Sequence, residues 1–197
     1  EILNRYLETI NKVSDTLDTY LMNKDGLTIA ASNWNEERPF IGRNFNYRPY
    51  FKQAMEGKLG RYFALGSTSS KRGYYFAYPV RKGEEILGAV AVKINIDTVE
   101  QSWAARDENL LVSDPDGVVF ITTNPEWRFK TLEPLEQSVV ERITLSRRYQ
   151  DAVFLPLSHE IKTIRDTVQI LDIHNPLSNG QRRVLKQSQF MPNAGWN

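Results

Sequence analysis

Lys93 sits near the end of GAVAVKINID, residues 88–97. Valine, isoleucine and alanine dominate that run, so it reads as a buried β-strand. An ammonium buried without a partner costs several kcal/mol. The lysine therefore reaches water, meets a fixed carboxylate such as Asp97 or one from another strand, or receives an anion that comes and goes. Alternate side chains of a strand share a face. Ile86, Val90, Val92, Ile94 and Ile96 make one fully hydrophobic face, expected to pack under helices. Ala89, Ala91, Lys93 and Asn95 make the other. Two alanines leading to a lysine predict the floor of a small pocket with an anion-binding end, because a core would fill that space with larger groups.

A second cation, Arg48, falls at the start of the run RPYF. Free amides at a helix start favour an anion, and a guanidinium grips a carboxylate through two parallel hydrogen bonds. A surface arginine, or a salt bridge to Glu36, Glu37 or Asp25, fits the same residue. GSTSS, residues 66–70, offers hydroxyls and amides to carboxylate oxygens, or is a plain polar turn. It is no nucleophile elbow, since G-x-S-x-G is absent. Lys71 and Arg72 beside it read as solvated. The only histidines are His159 and His174, far along the chain from these cations, and there is no cysteine. A hydrolase needs a nucleophile beside a base and a metal site needs clustered ligands. The expectation is no catalytic residue, no metal and no cofactor.

The bulk composition agrees. The chain has 197 residues, 41% hydrophobic and 25% charged, with net charge +1. Acids and bases are interspersed, which describes a solvated surface rather than a nucleic-acid partner. No apolar run approaches the roughly 18 residues that cross a bilayer. The chain opens inside a helical pattern and closes on GWN, so it reads as a piece of a longer protein.

The elements that must position these residues follow from periodicity. Leu3, Tyr6, Ile10, Val13, Leu17 and Tyr20 step by three and four, which predicts a helix over 1–20 with a heptad seam for a dimer or for its own domain. TYLMNKDGLTIAAS reads as strand, turn at Lys24-Asp25-Gly26, strand. Residues 32–46 form a long loop. YRPYFKQAMEG is a short helix with Pro49 at its first position, Gly57 as its stop, and Phe51, Ala54 and Met55 as its buried stripe. GRYFALG, GYYFAYPV and ILGAVAVKINI are strands, the last two joined at Lys82-Gly83-Glu84. Residues 98–107 read as a short helix and a boundary. LLVSDPDGVVFITT then repeats the layout of YLMNKDGLTIAAS, which suggests a second, smaller related module. Residues 124–150 read as helical in part, and VQILDI and RRVLKQSQF as strands.

With these pieces in place, NYRPYFKQAMEGKLGRYFALGSTSSKRGYYFAYPV continued by LGAVAVKINID resembles the periplasmic sensor region of bacterial C4-dicarboxylate sensor histidine kinases of the DctB type. LMNKDGLTIAASNW and ENLLVSDPDGVVFITTNPEWRFKTL fit the same family, so the resemblance covers most of residues 20–132. It implies an α+β fold in which a long N-terminal helix (1–20) supports two PAS-like, or Cache, modules with central antiparallel sheets. These would be a membrane-distal ligand-binding module (21–105) and a smaller membrane-proximal one (106–197). It implies that Arg48 takes one carboxylate, Lys93 the other, and Ser67, Thr68 and Ser69 assist. Backbone groups around Ser32 and Asn33 would close the pocket, with Trp34 and Tyr50 as walls. The second module has no RPYF-type helix, and Arg128 and Lys130 read as surface residues. Related modules that bind amino acids carry an acid where Lys93 stands, so a dianion such as succinate, fumarate or malate fits the lysine better. The resemblance further implies a homodimer through the N-terminal helix and a membrane-anchored whole protein with a cytoplasmic kinase and a response regulator. Another small carboxylate or an amino acid, in a kinase or a chemoreceptor, is the alternative.

Overall fold

The structure is a computed structural model and describes residues 1–66, 71–104, 109–149, 152–165, 167–175 and 180–191. They form two units: Glu1–Thr98 with Ile143–Gln150, and Val99–Arg142 with Asp151–Asn197. Among the described residues no helix is long and apolar enough to cross a membrane.

The first unit opens with α1 (Ile2–Val13). The three-four spacing predicts a helix through residue 20, but the helix ends at Val13. Asn11 ends it: its side chain holds the Thr16 carbonyl and accepts from the Thr16 and Thr19 hydroxyls, which turns the chain back. Asp15 takes a positive φ of 49° in that turn. Leu17 then donates its N–H to Lys93 O at 2.8 Å, and Tyr20 lies in a strand. On α1, Leu7 is buried while Ile2, Tyr6 and Val13 are exposed.

β1 (Asp18–Asn23) and β2 (Thr28–Ala31) form the expected hairpin. Asn23 Oδ1 accepts the N–H of both Asp25 and Leu27, and Gly26 supplies the left-handed residue at φ +82°. After the 32–46 loop come α2 (Pro49–Met55), β3 (Gly60–Leu65), β4 (Arg72–Lys82) and β5 (Glu85–Asn95). Pro49 starts α2, and Gly57 at φ +84° follows its end, as the sequence predicts. All pairings are antiparallel, in the order β2-β1-β5-β4-β3.

The faces of β5 are not packed as expected. Ala89, Ala91 and Lys93 are the fully buried residues, whereas Val90 and Val92 are only half-buried and Ile94 is exposed. The alanines lie under aromatic side chains. They are small because Tyr20, Met22, Tyr50, Phe51, Phe40 and Phe45 converge on that face from β1, α2 and the loop. Bulky aromatics opposite small residues make a dense core.

The second unit holds α3 (Ile96–Ala104), whose first residues belong to the first unit, β6 (Leu111–Ser113), β7 (Val119–Thr122), a 3₁₀ turn at Pro125–Trp127 and most of α4 (Gln137–Ser146). The antiparallel trio β8 (Ser158–Arg165), β9 (Val168–Asn175) and β10 (Gly180–Gln187) completes it. The sequence foresaw β9 and β10 but not β8.

The β1–β2 and β6–β7 hairpins share several local bonds. Asp114 Oδ1 accepts from Asp116 and Val118 as Asn23 accepts from Asp25 and Leu27. Thr123 Oγ1 caps Leu110 N as Ser32 Oγ caps Thr19 N. Glu100 of α3 accepts from Thr122 N as Asn4 of α1 accepts from Ala31 N. Each hairpin thus carries the same turn chemistry and the same helix contact.

Candidate functional site

Arg48 and Lys93 are 2% and 0% exposed, and both border the aromatic core of the first unit. β5 delivers Lys93 between two strands. On one side its register partner is Asp18 of β1, with Oδ2 3.9 Å from Nζ. On the other it is Tyr75 of β4, whose ring centroid lies 5.6 Å from Nζ. The ammonium thus meets a carboxylate from another strand, one of the three outcomes its position allowed. Asp97 is taken elsewhere, because it pairs with Arg72. Arg72 is therefore buried and ion-paired rather than solvated, while Lys71 is exposed.

Arg48 immediately precedes α2, and its carbonyl accepts from Phe51 and Lys52 to start the helix. Its Nη1 donates to the carbonyls of Ser146 and Arg147 at 3.2 and 2.9 Å. These carbonyls belong to a strap, Ile143–Gln150, that packs in the first unit although its neighbours in sequence belong to the second. Arg148 O accepts the N–H of Leu65 at the free edge of β3, Ser146 Oγ accepts from Tyr62 Oη, and Tyr149 packs on Phe63. Tyr47 is sandwiched by the guanidiniums of Arg48 and Arg147, 5.1 and 5.2 Å from its centroid.

Beside Lys93 runs a stack of tyrosines. Tyr50 and Tyr75 are parallel, with centroids 5.2 Å apart, and Tyr50 Oη lies 2.7 Å from Tyr20 Oη. Burial pushes all three phenols up, so they remain neutral hydroxyls. Burial also lowers Lys93 to about 8, opposed by Asp18 and reinforced by the charges of Lys71 and Arg48. Burial raises Asp18 to about 6, with Lys93 pulling the other way. The Arg48 charge is thus one of the influences that hold Lys93 down.

Of the other expected site residues, Tyr50 stands in that stack. Ser32 and Asn33 are buried, but their side-chain oxygens serve the fold: Ser32 Oγ accepts from Thr19 N and Asn33 Oδ1 from Phe40 N. Trp34 turns to α1, where its Nε1 donates to Glu8 and Arg5 lies over its ring. Ser67, Thr68 and Ser69 lie outside the described residues. Sequence reasoning missed Asp18, Tyr20, Tyr75 and the strap. Alternation along DTYLMN would have placed Asp18, Tyr20 and Met22 on one face, but the strand was read from Thr19 and the heptad reading claimed Asp18 for a helix. In the second unit, Arg128 is not a simple surface residue: it donates to the buried Glu100 at 2.7 Å.

Against known proteins, no protein-family model matches the chain. It is 36% identical over 196 residues to the "C4-dicarboxylate transport sensor protein DctB" of Pseudomonas aeruginosa, and 31% identical over 195 residues to the protein of that name from Rhizobium meliloti. A solved structure, the sensor domain of the histidine kinase DctB of V. cholerae, superposes with a TM-score of 0.90 at 37% identity, covering 99% of this chain and 75% of that one. The chain belongs to the DctB sensor-domain family. It spans 29% and 31% of the two curated DctB relatives. The α+β class with antiparallel sheets agrees with that membership.

Proposed function

We propose that this DctB-family chain is the extracytoplasmic ligand-sensing part of a two-component sensor histidine kinase, and that it binds a small C4-dicarboxylate of the succinate, fumarate or malate type. The observation that carries the reading is the pair of buried cations, Arg48 and Lys93, beside a tyrosine stack, with the Arg48 charge helping to lower Lys93. Buried like charges are costly alone and favourable around an anion. A ligand with a carboxylate at each end satisfies both, through charge-assisted hydrogen bonds worth roughly 1.5–3 kcal/mol each. Neutral tyrosine hydroxyls then supply directional donors between them. The names of the relatives, and their identity along the whole chain, support the same ligand class.

Ser67, Thr68 and Ser69 complete the carboxylate site in this reading, and Ser32 and Asn33 shape the loop beside it. The whole protein would be held in the inner membrane with this part in the periplasm, and would pass the signal to a cytoplasmic kinase and a response regulator. The exposed apolar side chains of α1, Ile2, Tyr6 and Val13, suit a helix that meets its twin in a homodimer.

Asp18 beside Lys93 favours a second reading, in which the ligand is a monocarboxylate or an amino acid whose ammonium faces the aspartate. A thermal-shift screen separates the two. At a hundredfold excess over Kd a ligand adds about 2.7 kcal/mol of stability, or several degrees in a chain of this size. Shifts with dicarboxylates alone, lost in Lys93→Gln, are expected. Shifts with amino acids alone would sink the dicarboxylate reading.

A further inference from the structure

Asp18 begins β1 directly opposite Lys93 in the antiparallel register, and it is 7% exposed. The 3.9 Å separation is an ion pair too long for a hydrogen bond. The charged and titratable groups around Asp18 come from every side of the site: Lys93 from β5, Tyr75 from β4, Glu36 from the 32–46 loop and Lys71 from the residue before β4. Glu36 and Lys71 are both exposed and opposite in sign, so their influences offset each other.

Among the described residues, the buried charges of this unit can then be counted, with Arg72 offset by its partner Asp97. Arg48 and Lys93 contribute two positive charges and an ionised Asp18 one negative. A monoanion brings that set to zero. A dianion leaves one negative charge in excess unless Asp18 is protonated, in which case the set is again neutral. An unbalanced buried charge is the costly state.

We propose that Asp18 sets the charge class of the ligand by taking up one proton from the solvent as a dicarboxylate seats against Arg48 and Lys93. The bond made is the O–H of the Asp18 carboxylic acid, and the bond broken is that of the proton to a buffer acid in the solvent, which keeps the electron pair as its conjugate base. The inference rests on the dicarboxylate reading above and deepens it. Free Asp18 is already raised to about 6 by burial, with Lys93 restraining the rise. A ligand carboxylate engages Lys93 and adds a like charge beside Asp18, which raises it further. The bound state therefore holds more protons than the free state. Affinity for a dianion falls as pH rises above about 6, by up to about tenfold per pH unit, whereas affinity for a monoanion does not.

Titration calorimetry of the 197-residue chain with fumarate tests this, since both fumarate carboxylates are ionised near neutral pH and bring no proton. Runs at pH about 7 in two buffers of different ionisation enthalpy count the protons taken up. Uptake close to one proton is expected in the wild type. Asp18→Asn should reduce it to a small fraction and flatten the affinity profile between pH about 5.5 and 7.5. If Asp18→Asn does not fold, the wild-type count still decides, because Lys93 is already largely protonated at that pH. Fumarate binding without proton uptake, or with the same uptake in Asp18→Asn, overturns the role of Asp18 and leaves the dicarboxylate reading standing. Failure of fumarate to bind the wild type at any pH overturns both.

Discussion

Gly73 of β4 makes room for the stem of Lys93: a Cβ at that position would stand 2.7 Å from Lys93 Cγ. A contact that short cannot persist, so Gly73→Ala must push the stem from its slot between Asp18 and Tyr75. Overpacking a filled interior costs about 1–3 kcal/mol. The expected result is a folded protein, destabilised by about that amount, whose fumarate affinity drops at least tenfold. Urea unfolding and calorimetry check the two halves separately. Unchanged affinity would mean that Lys93 reaches the ligand by another path.

Lys93 also leaves a signature in the pH dependence of stability without ligand. Its pKa is lowered from 10.5 to about 8, chiefly by burial. Between those values the unfolded chain binds the proton more tightly than the folded one. Stability rises with pH wherever the unfolded state holds more protons, so the folded protein gains as pH climbs above about 8. Raised tyrosines work the other way above pH about 10. In the window below them the wild type should gain up to about 2 kcal/mol relative to Lys93→Gln. Urea titrations at pH about 7.5 and 9.5 measure the difference.

Much of this was legible in the sequence, and the failures have physical causes. Turn chemistry at Asp25-Gly26 and the Pro49 start and Gly57 stop of α2 are local, so spacing finds them. The pairing of β1 with β5 is not local. It alone brings Asp18 to Lys93, across 74 intervening positions that no pattern spans. The helix-packed face of β5 was assigned to the valines and isoleucines, whereas α2 packs over the alanines. Those alanines accept aromatics delivered by α2 and the 32–46 loop. The helix was expected to residue 20 because Leu17 and Tyr20 continue its three-four rhythm beyond Val13, where the Asn11 turn ends it. The strap over Arg48 lies about a hundred residues from the arginine it holds, and it carries no motif.

That strap gives a third prediction. Arg48 donates to the Ser146 and Arg147 carbonyls, and Leu65 N donates to Arg148 O at 2.7 Å. A ligand carboxylate on Arg48 adds a partner to a guanidinium that already anchors the strap. The orientation of the guanidinium therefore depends on the strap. Tyr149, 1% exposed and packed on Phe63, is its apolar anchor. Tyr149→Ala should cost about 3–5 kcal/mol, as for other buried aromatics. It should also speed hydrogen exchange at the Leu65 amide and weaken fumarate binding. Fumarate should slow that exchange in the wild type. Equal exchange with and without ligand would mean that the strap is indifferent to the site.

The second unit supplies the control. Glu100 is 9% exposed, and its two oxygens accept from Thr122 N at 2.8 Å and Arg128 Nη2 at 2.7 Å. Glu100→Ala removes both bonds and strands a buried N–H beside an unpaired guanidinium. Breaking a buried pair in this way costs about 3–5 kcal/mol. Glu100→Gln keeps an acceptor for Thr122 and loses only the charge of the pair, so its cost should be smaller, about 1–2 kcal/mol. Two units can unfold separately, so a single midpoint would blur the effect. Hydrogen exchange at the amides of β7 resolves it. Those amides should lose protection in the order Ala, then Gln, then wild type, while the amides of β5 keep theirs. Fumarate affinity should be the same in all three proteins, because Glu100 bonds Thr122 and Arg128, both of the second unit. A tenfold loss of affinity in Glu100→Gln would show instead that the Glu100–Arg128 pair is coupled to the ligand site, and that the second unit takes part in binding.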